Sequence, residues 1–249
     1  MTVRLLSYNI RYGGVGREDA LSEVIRDSAA DLVILQEATH PTVVERLASA
    51  TGMSAWAARP GHSLAFMSRL DIAHYEWHEI PVTRRRYLEV VLAANNARIF
   101  GVHLRAVHAN WSERRRVREL RALLENIAQY RGTLHILTGD FNTLAPGAIL
   151  DARQLPLRLQ TLLWLSGRRI RWETIQIMLD AEYEDGYRLL HPLEDGFTFP
   201  VWNPHVRLDY VFIPLLFADT LKSCEVMYEG LATGHASDHF PLLSVLDIA

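Results

Sequence analysis

Cysteine is nearly absent. The one thiol, Cys224, excludes an internal disulfide, and with no cysteine cluster there is no cysteine-based zinc site. No Gly/Ser/Pro-rich linker, internal repeat or low-complexity tract divides the 249 residues, so one domain over residues 1–249 with one large core is expected. An excess of one charge is missing as well. With 26 Lys+Arg against 29 Asp+Glu the net charge is −3, which gives no general attraction for nucleic acid or anionic membranes. Any polyanion must then be held by a local patch. No run reaches the roughly 18 to 20 apolar residues of a membrane-spanning helix, although 155–165 is locally greasy. Met1 to Leu6 runs straight into a strand pattern instead of a long apolar signal segment. A cytoplasmic enzyme with no obligate protein partner is the expectation.

What is present is a series of short apolar runs ending in polar residues. The run 133–138 alternates like a buried strand and closes on Gly139-Asp140-Phe141-Asn142. Further strands are expected over 3–9, 31–36, 63–67, 73–77, 87–94, 98–103, 208–213, 224–228 and 242–246. Asn95-Asn96 suits a tight turn. Helices are expected over 19–29, over 41–52 with Pro41 in the first turn, and over 112–130 with Ser112 as N-cap and Val117, Leu120, Leu124 and Ile127 as an apolar stripe. Two more are expected around 157–165 and 171–182. Strands dominate with helices interspersed, so two sheets covered by outer helices is the expected layering.

The polar clusters at run ends carry the chemistry. A buried strand has little use for a carboxylate and an amide two residues apart, because unpartnered desolvated polar groups are costly. At a rim, Asp140 and Asn142 can face a substrate. Ser7-Tyr8-Asn9, Leu35-Gln36-Glu37 and Ser237-Asp238-His239 stand in the same way, and the four read as one site. Each has a plainer reading by itself. Asp140 with Asn142 can form a turn, His239 can be a core histidine, and Glu37 can sit at a helix N-terminus. Asp209 inside an apolar run is hardest to explain structurally, because a buried carboxylate needs a partner.

Taken in order, Tyr8-Asn9-Ile10, Leu35-Gln36-Glu37, Val102-His103-Leu104, Gly139-Asp140-Phe141-Asn142, Arg207-Leu208-Asp209-Tyr210 and Ser237-Asp238-His239 resemble the motifs of the endonuclease/exonuclease/phosphatase superfamily over nearly the whole chain. The resemblance implies an α/β (α+β) fold, a four-layer αββα sandwich of two mixed β-sheets flanked by helices. The site is then expected at the strand ends between the sheets. It also implies that His239, held by Asp209, contacts the scissile phosphate or acts as base. Asp140 would position or deprotonate the water, Asn142 bind a phosphate oxygen or that water, Asn9 orient Asp140, and His103 serve the leaving oxygen. Arg11 departs from the pattern, since some DNA-repair relatives carry a second acid there. It can contact phosphate or pair with a nearby acid.

Phosphoester hydrolysis needs neutralised phosphoryl oxygens, an in-line water and a stabilised leaving group. Glu37 and Asp238 are therefore the expected ligands of Mg²⁺ or Mn²⁺, hard cations that favour oxygen donors. Asn110, Trp111 and His108 follow the His103 strand, and Asn110 and Trp111, with Arg207, are expected to bind the group attached to phosphate. Two arginine clusters, Arg84-Arg85-Arg86 and Arg114, Arg115, Arg116, Arg118 and Arg121, invite a nucleic-acid reading. For the second, a solvated helix face interleaved with Glu113 and Glu119 is the stronger reading. Trp202 is expected at the rim before Arg207. The function expected is divalent-metal-dependent phosphoester hydrolysis, of nuclease type ahead of a phospholipid, inositol phosphate or other small phosphoester. The lipid alternative would place Leu162 to Leu165 at the substrate mouth. The non-enzyme alternative is an inert binding module, which would be marked by lost motif residues.

Overall fold

The computed structural model describes residues 1–80, 83–106, 110–148, 172–230 and 232–248. Among these, strands β1 (Thr2–Asn9), β2 (Leu32–Gln36), β3 (Ala55–Ala57), β4 (Ala65–Ser68), β11 (Leu221–Val226) and β12 (Leu242–Asp247) form one sheet in the order β11-β12-β1-β2-β4-β3. The other sheet runs β5-β6-β7-β8-β10-β9 and uses Ile72–Ile80, Arg85–Leu92, Arg98–His103, His135–Asp140, Asp209–Pro214 and Tyr183–Asp185 for β5, β6, β7, β8, β10 and β9. Each sheet has one parallel pair, β1 with β2 and β7 with β8, among antiparallel neighbours. Both are therefore mixed.

The strand residues alternate between two apolar environments, which explains why the sequence runs are apolar throughout. In β1 and β2, Val3, Leu5, Leu32 and Ile34 point into the core between the sheets, whereas Leu6, Tyr8, Val33 and Leu35 pack outward. That outer face is covered by α1 (Glu18–Asp27) and α2 (Pro41–Thr51), through Leu21, Val24 and Ile25 and through Val43, Val44 and Leu47. In β10, Val211 and Ile213 face the shared core, and Tyr210 and Phe212 face α3 (Asn110–Ile127) and α4 (Glu173–Asp180). The result is helix, sheet, sheet, helix. Four layers and mixed sheets are the architecture that the resemblance implied.

Differences from the sequence reading are local. The third helix begins at Asn110, so Ser112 lies inside it and not at its cap. Strands β3 and β9 have three residues each, too few to show a period of two. The helix expected around 157–165 and the apolar stretch Leu162 to Leu165 lie outside the described residues. On α3, Glu113 and Glu119 are not part of a solvated face. Glu113 is buried and accepts from Arg116, from Thr143 Oγ1 (3.1 Å) and from Thr174 N and Oγ1 (2.8 and 2.7 Å), tying α3 to the segment after β8 and to α4. Arg114, Arg118 and Arg121 are exposed, as a solvated face requires.

Candidate active site

Register brings three of the expected residues into one row. In the second sheet His103 is opposite Asp140 across β7 and β8, and Asp140 is opposite Asp209 across β8 and β10. Gly139 makes this possible. It has φ +143, and a Cβ there would lie 1.9 Å from the Val102 carbonyl oxygen, so no L side chain fits this approach of β8 to β7. The other sheet delivers Asn9 and Gln36 side by side at the parallel ends of β1 and β2, with Glu37 following. Ser237 Oγ donates to the Asn9 carbonyl at 2.6 Å, tying the Ser237-Asp238-His239 segment to the end of β1. Glu37 and Asn142 hold φ +57 and +52, and Arg11 φ +48, left-handed values that side chains adopt at a cost of about 1 kcal/mol or more.

Asp140 is held by nitrogen donors. Its Oδ1 accepts from Asn142 N (2.8 Å), and its Oδ2 accepts from Asn142 Nδ2 (2.9 Å) and Asn9 Nδ2 (3.1 Å). The second hydrogen of Asn9 goes to Glu37 Oε1 at 3.3 Å and that of Asn142 to the Leu104 carbonyl at 3.1 Å. Both hydrogens of each amide are engaged in this way, so the Asn142 Nδ2 donors, expected to meet a phosphate oxygen or the attacking water, are turned to Asp140 and the Leu104 carbonyl. Burial raises the Asp140 carboxyl to about 7; the His239 charge and the amide donors pull it down, and the Asp209 charge adds to the rise. A carboxylate near neutrality can both take and return a proton.

Asp209 finds its partner in His239. Nδ1 of the imidazole lies 2.8 Å from Asp209 Oδ2, with both side chains buried, and Asp209 Oδ1 has no hydrogen-bond partner among the described residues. A carboxylate at Nδ1 makes that nitrogen the donor and leaves Nε2 facing Asp140 Oδ2 at 4.0 Å. Burial alone would drive this imidazole neutral, but the charge and hydrogen bond of Asp209, with Asp140 and Asp238 nearby, hold it up at about 9. His239 is therefore cationic at neutral pH. Phe199 packs on its ring, centroids 4.8 Å apart.

His103 differs. Burial, then the Arg85 and His239 charges, lower it to about 3, so it stays neutral. Its Nδ1 meets Ser63 Oγ, which itself accepts from Glu37 N at 3.1 Å. With Ser63 donating its hydrogen to Nδ1, the His103 proton is on Nε2, 3.7 Å from Asp140 Oδ2. Ser63 and Phe199 were not singled out from sequence, and neither stands in a polar cluster at a strand end. Arg17 was missed as well: it donates to the carbonyls of Ile10, Arg11 and Ala236, pinning the loop after β1 to α6 (Thr233–Ala236). Helix α5 (Gly186–Leu190) packs on β9, β10 and β11.

Glu37 and Asp238 lie beside this row. Glu37 accepts from Asn9 and from Tyr12 N at 2.6 Å, and Asp238 Oδ2 is 3.3 Å from Arg11 Nε. Arg11 is thus paired with an acid. Four carboxyl groups, Glu37, Asp140, Asp209 and Asp238, meet one imidazolium and one guanidinium, a surplus of acidic groups that a divalent cation would neutralise. An oxygen-rich donor set with that surplus fits a hard cation. Asp140, Asp209 and His239 also offer ligand atoms within 4.8 Å of one another and could hold a metal ion. Within this group Asp140 accepts from the Asn9 and Asn142 donors and Asp209 Oδ2 is bonded to His239, while Asp209 Oδ1 has no partner among the described residues.

The expectations for Arg207, for Asn110 and Trp111, and for Trp202 at the rim fare differently. Arg207 is corrected: its guanidinium makes a buried bidentate pair with Asp185 (2.7 and 2.5 Å) and lies over Tyr210, so its donors are turned away from the row. Asn110 and Trp111 open α3 instead of lying on a loop; their side chains, and His108 altogether, lie outside the described residues. Trp202 is 69 % exposed next to Phe199.

No curated protein matches the sequence. Solved structures similar in fold include a 3′ phosphatase from Neisseria bound to a product DNA hairpin, at TM-score 0.71 and 17 % identity, covering 99 % of this chain and 100 % of that one. An AP endonuclease from Archaeoglobus fulgidus matches at TM-score 0.74 and 14 % identity, over 99 % and 100 % of the two chains. TDP2 from D. rerio with a single-strand DNA product matches at 0.69 and 19 %, over 99 % of each. Among the described residues no helix is long and apolar enough to cross a membrane. The model of the Endonuclease/Exonuclease/phosphatase family matches residues 6–239, from β1 to the histidine of the Asp209 pair, and the chain belongs to that family of phosphoester-hydrolysing enzymes.

Proposed function

We propose that this chain is a divalent-metal-dependent phosphodiesterase of nuclease type. The observation that carries the reading is the row His103–Asp140–Asp209 closed by His239, in which one carboxyl near neutrality stands between a cationic and a neutral imidazole. Glu37 and Asp238 would hold the cation, Mg²⁺ or Mn²⁺, which supplies charge neutralisation at the phosphoryl oxygens.

The protein's own groups divide the remaining work. The Asp140 carboxylate, fixed by Asn9 and Asn142, takes the proton of the attacking water. His239 Nε2–H, kept charged by Asp209, donates to a phosphoryl oxygen as negative charge grows there. His103 Nε2–H, set by Ser63, donates to the leaving oxygen as a neutral hydrogen bond, since so weak a base carries no second proton near pH 7. Nucleic acid as the substrate is supported by the DNA bound in two of the similar structures, a property of those proteins.

A substrate panel tests it: plasmid, single-stranded DNA, RNA, bis-p-nitrophenyl phosphate, p-nitrophenyl phosphate and sphingomyelin, each with Mg²⁺, Mn²⁺ and EDTA. Cleavage of nucleic acid and of the diester above the monoester, abolished by EDTA, is expected. Activity confined to sphingomyelin or to the monoester would overturn the nuclease reading.

A further inference from the structure

A second cavity opens on the far side of His103 from Asp140. It has a volume of about 290 Å³ and lies between the turn before β4, with His62 and Ser63, and the hairpin joining β5 to β6, with Arg84, Arg85 and Arg86. His103 is the wall the two sites share, with Nε2 toward Asp140 and Nδ1 on Ser63.

The cavity gathers more positive charge than its surroundings cancel. Arg85 is anchored at its floor: Nη1 donates to the His103 carbonyl at 3.0 Å, and Nε stands 3.9 Å from Oε1 of Glu119. That carboxylate is fully buried, neither oxygen has a hydrogen-bond partner among the described residues, and Arg85 is the cation it pairs with. A buried acid on α3 is costly without a countercharge, and holding the Arg85 head in place accounts for it. Arg86 pairs at the rim with Glu79, Nη2 to Oε2 at 3.2 Å. Arg84, at φ +56, and Arg59, 4.5 Å over the Trp77 ring, have no acidic partner among the described residues. The field is felt in the walls. His62 is pushed below its ordinary value by burial and then by Arg86 and Arg59, and Nδ1 of His62 is buried without a partner among the described residues.

We propose that this cavity binds a second phosphate of the substrate, the one adjacent to the scissile phosphate along a nucleotide chain. The proposal rests on the nuclease reading above and names how that site selects its substrate. Guanidinium groups present paired N–H donors that match phosphate oxygens, which a carbohydrate or a neutral leaving group would leave unmet. A chain of net charge −3 needs such a local patch to hold a polyanion at all. The cavity and the Asp140 row share His103, which is why the phosphate assigned here is the neighbour of the scissile one on the same strand.

The test uses the full chain and an Arg84→Ser/Arg86→Ser variant, both sites being exposed enough that the fold should keep its melting temperature. Three dinucleotides are compared: one bare, one with a terminal 5′-phosphate and one with a terminal 3′-phosphate. Binding is read by calorimetry in EDTA, and kcat/KM in Mn²⁺. One phosphorylated form should bind and react about tenfold better than the bare form in the wild type, the scale of one charge-assisted hydrogen bond. In the variant that advantage should shrink to less than about threefold, while the bare dinucleotide changes little. An advantage that survives in the variant, or none in the wild type, overturns the proposal. Discrimination in binding with no cleavage in any divalent cation would refute the nuclease reading yet still support the phosphate pocket.

Discussion

The pairing of Asp209 with His239 has a quantitative consequence. The carboxylate and imidazole are both buried and 2.8 Å apart, and the pair holds His239 at about 9 in place of an ordinary 6.5. That difference corresponds to about 3 kcal/mol of preference for the imidazolium. Asp209→Asn keeps the shape but removes the charge, so burial takes over and the imidazole becomes neutral at pH 7. The donor aimed at the phosphoryl oxygen is then lost, and turnover should fall by roughly 10² or more, the scale for a single electrostatic or acid-base group. His239→Ala should cost a similar factor. The double variant should be hardly worse than His239→Ala alone, because without the imidazole Asp209 has nothing to orient. Single-turnover rates for the four proteins, with melting temperatures as a fold control, complete the cycle. Multiplicative losses would refute the reasoning and return Asp209 to a structural acid or a metal ligand.

Other outcomes follow from the same geometry. Glu37→Gln should preserve the fold and weaken Mg²⁺ or Mn²⁺ binding by calorimetry, because a hard anionic ligand becomes a neutral one; unaltered affinity would remove Glu37 from the metal site. Ser63→Ala should cut kcat by about tenfold, the range seen when a supporting hydrogen bond is removed, and mix the two His103 tautomers in ¹⁵N NMR spectra. A lower kcat with an unchanged tautomer would refute the Ser63 assignment. Cys224 is fully buried and its thiol is pushed well above the usual range, chiefly by burial. It should therefore resist thiol reagents in the native protein and react only on unfolding; fast labelling of the native state would contradict this.

Much of the fold was legible in the sequence because apolar periodicity records burial. β1, β2, β8 and β10 are apolar on both faces, and this marks strands covered on each side. Polar residues at the ends of those runs marked the rim, so Asn9, Glu37, Asp140 and Asp238 could be singled out without a structure. What one strand cannot record is its neighbour's register. That His103, Asp140 and Asp209 lie in a row depends on β7, β8 and β10 together and on the missing side chain at Gly139. The fate of charged side chains was equally hidden. Arg207 reads as a rim arginine until Asp185, 22 residues earlier, is found beside it, and Glu113 and Glu119 read as solvent-facing until α3 is packed. A charge is solvated or buried according to what lies opposite it, and that is settled by tertiary packing, whereas hydrophobic spacing is a property of the chain alone.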